Sequence, residues 1–101
     1  MLFRSERMNE LRQMALFFNT MPSPPKTLEQ FKNEIKRDAP AIVQAINEEY
    51  YTINLKARQN SQDIVAYETD ADQANLQYYA RADGSVDAMP ADQLKQELGR
   101  K

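Results

Sequence analysis

Apolar residues in the first 20 positions recur at steps of three and four, the spacing of one face of an α-helix. This stripe predicts a helix over residues 3–20, with polar side chains on the opposite face. Its members are Met8, Leu11, Met14, Ala15 and Phe18. The run Met21-Pro-Ser-Pro-Pro25 then ends the helix, because proline lacks an amide donor and disfavours helical backbone in the residue before it.

Two further helix starts follow the proline run. Thr27 has a glutamine three residues later, the capping-box arrangement typical of a helix N-terminus. Asp38 can cap another turn, with Pro40 near its start. The apolar positions beyond these residues fit one kinked helix or two helices, and we favour two, over 28–37 and 39–48.

The pattern changes after residue 50 to the alternation of apolar and polar residues that is typical of β-strands. Polar turns separate the alternating runs. The predicted strands cover residues 51–55, 64–68, 75–82 and 85–89. Asp83-Gly84 lies between the last two strands and predicts a tight hairpin, because glycine adopts positive φ readily and aspartate tolerates it better than most residues.

A short helix is predicted at the end of the chain. Pro90 can open it, Leu94 and Leu98 face the core, and Gly99 fits its C-terminal cap. The fold class is therefore α+β, with N-terminal helices packed on a small antiparallel sheet of three to four strands and a short C-terminal helix. We expect one domain over 1–101, divided into a mainly helical part, a sheet and a final helix at 1–48, 50–89 and 90–99.

A chain of 101 residues can bury one modest core and no more. The large apolar residues at the inward positions of these elements should form most of it. They are Met8, Leu11, Phe18, Phe31, Ile35, Ile42, Val43, Ile46, Ile53, Leu55, Val65, Leu76, Val86, Leu94 and Leu98.

The composition excludes several kinds of chemistry. The chain has no cysteine and no histidine, so it lacks a thiolate nucleophile, the usual general base near neutral pH and the commonest metal ligand. Charge is uneven: residues 1–58 carry nine Lys/Arg against seven Asp/Glu, whereas residues 59–101 carry four against eight. An acidic C-terminal half repels phosphate, so we expect no nucleic-acid partner. The tyrosines there are expected to be half-buried in the sheet rather than to stack on bases.

Acidic residues in the predicted turns are the only candidates for a metal site. Asp70 and Asp72 lie in one turn and Asp83 in the next, and alternating carboxylates on loops can bind calcium. The spacing lacks the complete calcium-loop pattern, and aspartate is also a common turn former. We therefore keep Asp70, Asp72 and Asp83 as a candidate calcium site and predict no other cofactor. Paired carboxylates acting as acid and base would need a cleft lined by them.

Two segments resemble pseudopilin-like proteins of the type II secretion class. LRQMALFFNT followed by PPKTLEQFKNEI, within residues 11–35, resembles the end of the long pilin helix with its loop and short helix. VAYETDADQANLQYYARADGSVDAMPADQLKQEL, at 65–98, resembles the C-terminal strand pair and final helix of a pseudopilin-like group. The family's processing site and apolar membrane segment are not part of this sequence. Family calcium sites lie in sheet loops, without a residue-for-residue match to the aspartates here.

The resemblance implies a non-catalytic structural subunit, exported or held in the cell envelope, that works through protein–protein contacts. We expect the chain as given to be soluble and to reach a membrane only through a segment not present in it, because no apolar run is long enough to span a bilayer. The expected partner is another protein or a second copy. The alternative is a freestanding interaction module that uses an exposed sheet edge or the stripe of the first helix. A small hydrolase that uses the acidic turns is a third, remote hypothesis.

Overall fold

The predicted α+β class is confirmed by a computed structural model that describes residues 4–58, 60 and 62–99, with side chains from Arg7 onward. The predicted start of the first helix at residue 3 lies outside the described residues. Within the described part, four helices and four strands have the bounds α1 Arg4–Thr20, α2 Leu28–Ile35, α3 Pro40–Asn47, β1 Tyr51–Ile53, β2 Ile64–Glu68, β3 Leu76–Arg81, β4 Val86–Pro90 and α4 Ala91–Leu98. None of the described helices is long and apolar enough to cross a bilayer.

The helix starts follow the predicted cap chemistry in one case and depart from it in the other. At α2, Thr27 Oγ1 accepts the N–H of Gln30 at 3.1 Å, while Gln30 Oε1 accepts the N–H of Lys26 at 2.9 Å. At α3, Pro40 occupies the first turn as predicted, but Ala39 is the N-cap residue and no side chain caps the helix. The predicted cap by Asp38 is therefore wrong.

The four strands form one antiparallel sheet in the order β1-β2-β3-β4, so each strand pairs with its sequence neighbour. The β3–β4 hairpin closes through Arg81 N–H to Ser85 O, and Gly84 has a φ of +91°, as the predicted turn requires. A bulge in β2 between Ile64 and Ala66 shifts its register against β3. The bulge lets both Val65 and Ala66 join the same core cluster.

One face of the sheet carries the main core, because α1 crosses it and contacts β2, β3 and β4. Leu11, Met14 and Phe18 of the α1 stripe have no exposed surface. The Phe18 ring packs 6.2 Å from that of Phe31 on α2, which joins the helices to each other as well as to the sheet. Burying each such side chain is worth roughly 1.5–3 kcal/mol, so the stripe determines how α1 docks.

The opposite face of the sheet carries a second, smaller cluster under α4. Leu94 is buried there with Ile64, Tyr79 and Met89, and Leu98 is half-buried beside them. Leu94 and Leu98 thus face apolar packing as predicted, but on the opposite side of the sheet from the main core. The sheet is consequently covered on both faces.

Leu55 is the clearest error in the predicted core, since 40% of its surface is exposed. β1 ends at Ile53 because the Asn54 side chain donates to the carbonyl of Ile64 at 2.8 Å and accepts the N–H of Lys56 at 3.1 Å. These bonds turn the chain before Leu55, which therefore lies outside the ladder. The other partly exposed members of the predicted core are Met8, Val43, Leu76, Val86 and Leu98.

Candidate functional site

The three aspartates of the predicted calcium site lie at opposite ends of the sheet. Asp70 and Asp72 are in the β2–β3 turn, whereas Asp83 is in the β3–β4 turn. β3 runs between these turns for six residues, roughly 20 Å of extended chain. The prediction that Asp70, Asp72 and Asp83 share one site is therefore wrong, because a β-meander separates successive turns. Within the described residues, no group of three acidic side chains could hold a metal ion.

Two of these aspartates organise their own turns. Asp72 Oδ1 accepts the N–H groups of Ala74 and Leu76, both at 2.9 Å. Asp83 Oδ1 accepts the hydroxyl of Ser85 at 2.7 Å and its N–H at 2.9 Å, and these bonds lower the pKa of Asp83. Both are the local side-chain-to-backbone bonds by which aspartate favours turns. Asp70 is exposed.

A partly buried ion pair joins α1 to β2. Arg7 Nη1 donates to Glu68 Oε2 at 2.8 Å, and the Glu68 side chain is only 7% exposed. Glu68 Oε1 accepts the N–H of Tyr78 at 3.1 Å, so both carboxylate oxygens have partners. The guanidinium carbon of Arg7 also lies 5.6 Å from the centre of the Tyr78 ring, within the range of a cation–π contact.

A second contact joins α1 to β1 beside this pair. The Tyr51 hydroxyl donates to Glu10 Oε1 at 2.7 Å. Burial raises the pKa of Tyr51 most, and the hydrogen bond and charge of Glu10 and the charge of Glu68 raise it further, against the opposing charge of Arg7. The Tyr51 phenol is therefore a neutral donor and not a nucleophilic phenolate. We call Arg7, Glu10, Tyr51 and Glu68 the polar cluster.

Helical and strand periodicity explain how the polar cluster forms. Arg7 precedes Leu11 by four residues and Met14 by seven, so it lies in line with the buried stripe of α1. Glu68 pairs with Tyr51 in the β1–β2 register and so shares the side of the sheet that α1 covers. Arg7 is not a member of the predicted apolar stripe, and its four-residue spacing to Leu11 is the sequence signal that places it on the same face.

An open cleft of about 420 Å³ lies against the polar cluster. Tyr50, half of whose surface is exposed, stands at the cleft beside the β2–β3 turn. The residues that line this cleft are Arg7, Glu49, Tyr50, Tyr51, Glu68, Asp70, Ala71 and Asp72. Acid–base catalysis would need one carboxyl group free to give a proton and another free to take one. Glu68 and Asp72 are instead engaged by Arg7 and by backbone N–H groups.

A second cleft, of about 590 Å³, lies at the other end of the sheet and has mixed charge. Lys56, Arg58 and Arg81 line it together with Asp63 and Glu97. Arg81 donates to the carbonyl of Gln62 and lies 5.3 Å over the Tyr79 ring. Its guanidinium therefore has protein partners already.

Comparisons of the chain with protein-family models, with curated proteins and with solved structures found no match.

Proposed function

We propose that this chain is a non-catalytic domain of an exported, pseudopilin-like structural subunit, which acts through protein–protein contacts. Its chemistry supports a role in binding, because thiol and imidazole groups are absent from the sequence. Two acids of the cleft beside the polar cluster support the same view, since Glu68 holds α1 and Asp72 shapes its turn.

The arrangement of α1 is the observation that carries the proposal. α1 is the longest described helix, with 17 residues, and it lies across β2, β3 and β4 with every member of its stripe except Met8 fully buried. The polar cluster fixes the same helix to β1 and β2 through Tyr51 and Glu68, and Arg7 also contacts the Tyr78 ring of β3. An N-terminal helix held rigidly on an antiparallel sheet is an arrangement that the resemblance to pseudopilins implies. A rigid body of this kind suits a subunit whose role is to present surfaces.

A hydrolase is the alternative that the acidic cleft would favour. Exposed Asp70 and Glu49 are carboxylates without a protein hydrogen bond to their side chains among those described above, and both line the cleft. An acid–base pair requires two carboxyl groups facing one substrate across a defined gap. The other two acids of the cleft, Glu68 and Asp72, are engaged in holding α1 and the turn, so the binding role explains more of the structure.

The proposal is tested by isolating the protein from its native cells. We expect fractionation to place it in the envelope or outside the cell, and N-terminal sequencing of the mature protein to reveal a processed, apolar segment ahead of the described domain. A cytosolic protein with an unprocessed start at Met1 would contradict the proposal. So would measurable turnover that Asp70→Asn or Glu49→Gln abolishes while the melting temperature stays unchanged.

A further inference from the structure

The β3–β4 hairpin turns at Asp83-Gly84, and glycine follows aspartate nowhere else in the chain. In this dipeptide the nitrogen of Gly84 can attack the side-chain carboxyl group of Asp83 and close a five-membered imide ring. The reaction is favoured before glycine, because glycine has no side chain to hinder the approach of its own nitrogen. Asp83 is exposed, so the water that completes the reaction reaches the turn.

The reaction needs only water besides the chain itself. A bond forms between Gly84 N and Asp83 Cγ, and the amide hydrogen and the carboxyl hydroxyl leave together as water. Water then adds to one of the two imide carbonyls. Opening at Cγ restores aspartate, whereas opening at the main-chain carbonyl breaks the original peptide bond and leaves the chain running through Cγ. The second product, isoaspartate, has an extra carbon in the main chain and an unchanged mass.

Hydrogen bonds of the folded turn oppose ring closure at both reacting groups. Gly84 N–H donates to Arg81 O at 2.9 Å, and this bond must break because the imide nitrogen carries no hydrogen. Asp83 Oδ1 accepts the hydroxyl of Ser85 at 2.7 Å and its N–H at 2.9 Å, which holds the carboxylate toward Ser85. The same two bonds lower the pKa of Asp83, whereas the hydroxyl that leaves belongs to the protonated carboxyl group.

Neighbouring contacts hold the turn in this geometry. Arg81 N–H donates to Ser85 O at 2.9 Å and closes the hairpin. Ala82, directly before Asp83, is only 1% exposed and belongs to the main core cluster. Leu16 of α1 packs beside the turn, with its Cδ2 atom 3.7 Å from the position that a Cβ atom on Gly84 would occupy. Ring closure therefore requires the turn to open.

We propose that Asp83-Gly84 is an isomerisation site of this chain, and that the folded hairpin suppresses the reaction through the bonds from Ser85 to Asp83 and from Gly84 to Arg81. Isoaspartate forms when the turn opens locally. The extra main-chain carbon does not fit a turn in which Gly84 has a φ of +91° and Arg81 pairs with Ser85. β4 follows directly and contributes Met89 to the cluster under α4, so the modification loosens the smaller core.

Peptide mapping of the parent chain measures the reaction at this bond. Trypsin cuts after Arg81 and Lys95, and the fragment between them contains Asp87 and Asp92 as internal references beside Asp83. Isoaspartate splits this fragment into two chromatographic peaks of equal mass. Residue 83 should isomerise about tenfold faster in guanidinium chloride than in the folded chain at the same pH and temperature, the ratio that one hydrogen bond to a charged group sustains. A folded chain that isomerises as fast as the unfolded chain, or an unfolded chain in which Asp87 reacts as fast as Asp83, would overturn the proposal.

Substitutions at Ser85 separate protection of the turn from overall stability. Ser85→Ala removes the hydroxyl bond and should raise the rate in the folded chain about fivefold, whereas Ser85→Thr keeps a hydroxyl and should stay near the parent rate. Asp72→Ala is the matched control, because it weakens the turn at the opposite end of the sheet and leaves the β3–β4 turn intact. Melting curves would verify that each variant is folded, and the comparison of folded and unfolded parent chains requires no variant. The proposal fails if Ser85→Ala reacts at the parent rate, or if Asp72→Ala accelerates isomerisation as much as Ser85→Ala does.

Discussion

Replacing Arg7 with methionine would leave the Glu68 carboxylate charged, almost out of water and without its counter-ion. Breaking a fully buried ion pair by removing one partner typically costs about 3–5 kcal/mol. Here the Arg7 side chain is 27% exposed and that of Glu68 is 7% exposed, so water can solvate part of the remaining charge. We therefore expect Arg7→Met to reduce the free energy of unfolding by about 2–3 kcal/mol.

Urea denaturation followed by circular dichroism measures this loss. For a chain of this size, the expected loss lowers the urea midpoint by roughly 1–2 M and the melting temperature by about 10–20 °C. Arg12→Met is the matched control, because Arg12 lies exposed on the same helix. Its effect should stay within about 0.5 kcal/mol.

A second substitution separates the lost charge pair from lost packing. Glu68→Gln in the Arg7→Met background should recover about 1 kcal/mol or more, because a neutral amide needs no counter-charge. The glutamine oxygen can still accept the N–H of Tyr78. If Arg7→Met costs no more than Arg12→Met, or if the second change restores nothing, the ion pair does not hold α1 as we argue.

Two further predictions concern the β2–β3 turn and Tyr51. Asp72→Ala should lower the free energy of unfolding, measured by urea denaturation, by about 1–3 kcal/mol, because two turn N–H groups lose their acceptor. Asp70→Ala should cost less than about 0.5 kcal/mol. Equal losses would contradict this account of the turn. Burial and Glu10 raise the pKa of Tyr51 in the folded chain above its value of about 10 in the unfolded chain. The contribution of Tyr51 to the free energy of unfolding is therefore complete below about pH 10 and falls as the pH rises above it. Between pH 9 and pH 11, about one pH unit on either side of that unfolded pKa, the Tyr51→Phe variant should therefore lose less free energy of unfolding than the parent chain, as measured by urea denaturation. Equal losses in the two chains would refute the raised pKa of Tyr51.

The local elements could be predicted because their signals are local. The α1 stripe, the Thr27 cap and the alternation in β2 each depend on residues within a few positions of one another, and each element lies within a few residues of its predicted bounds. Gly84 adopts the positive φ that its hairpin demands, for the same reason. The alternation predicts a buried Leu55, but its exposure depends on a bond that Asn54 makes to the neighbouring strand.

The candidate site depended on contacts between distant positions. Arg7 and Glu68 are 61 residues apart, and no local sequence pattern around either residue indicates the other as its partner. Asp70, Asp72 and Asp83 lie within 14 residues of the sequence, yet the meander places Asp83 at the opposite end of the sheet from Asp70. Sequence spacing across successive hairpins therefore misjudges which turns are neighbours in space.

The order of helices and strands and the absence of imidazole and thiol chemistry follow from the amino-acid sequence alone. Periodicity, turn chemistry and composition act over short stretches of chain, so they can be seen without the fold. The tertiary structure alone decided that a charged pair lies beneath α1 and that α4 covers the second face of the sheet. Contacts between segments that are far apart in the sequence determine burial and strand order. These contacts form only when the whole chain is folded, so local sequence patterns do not predict them.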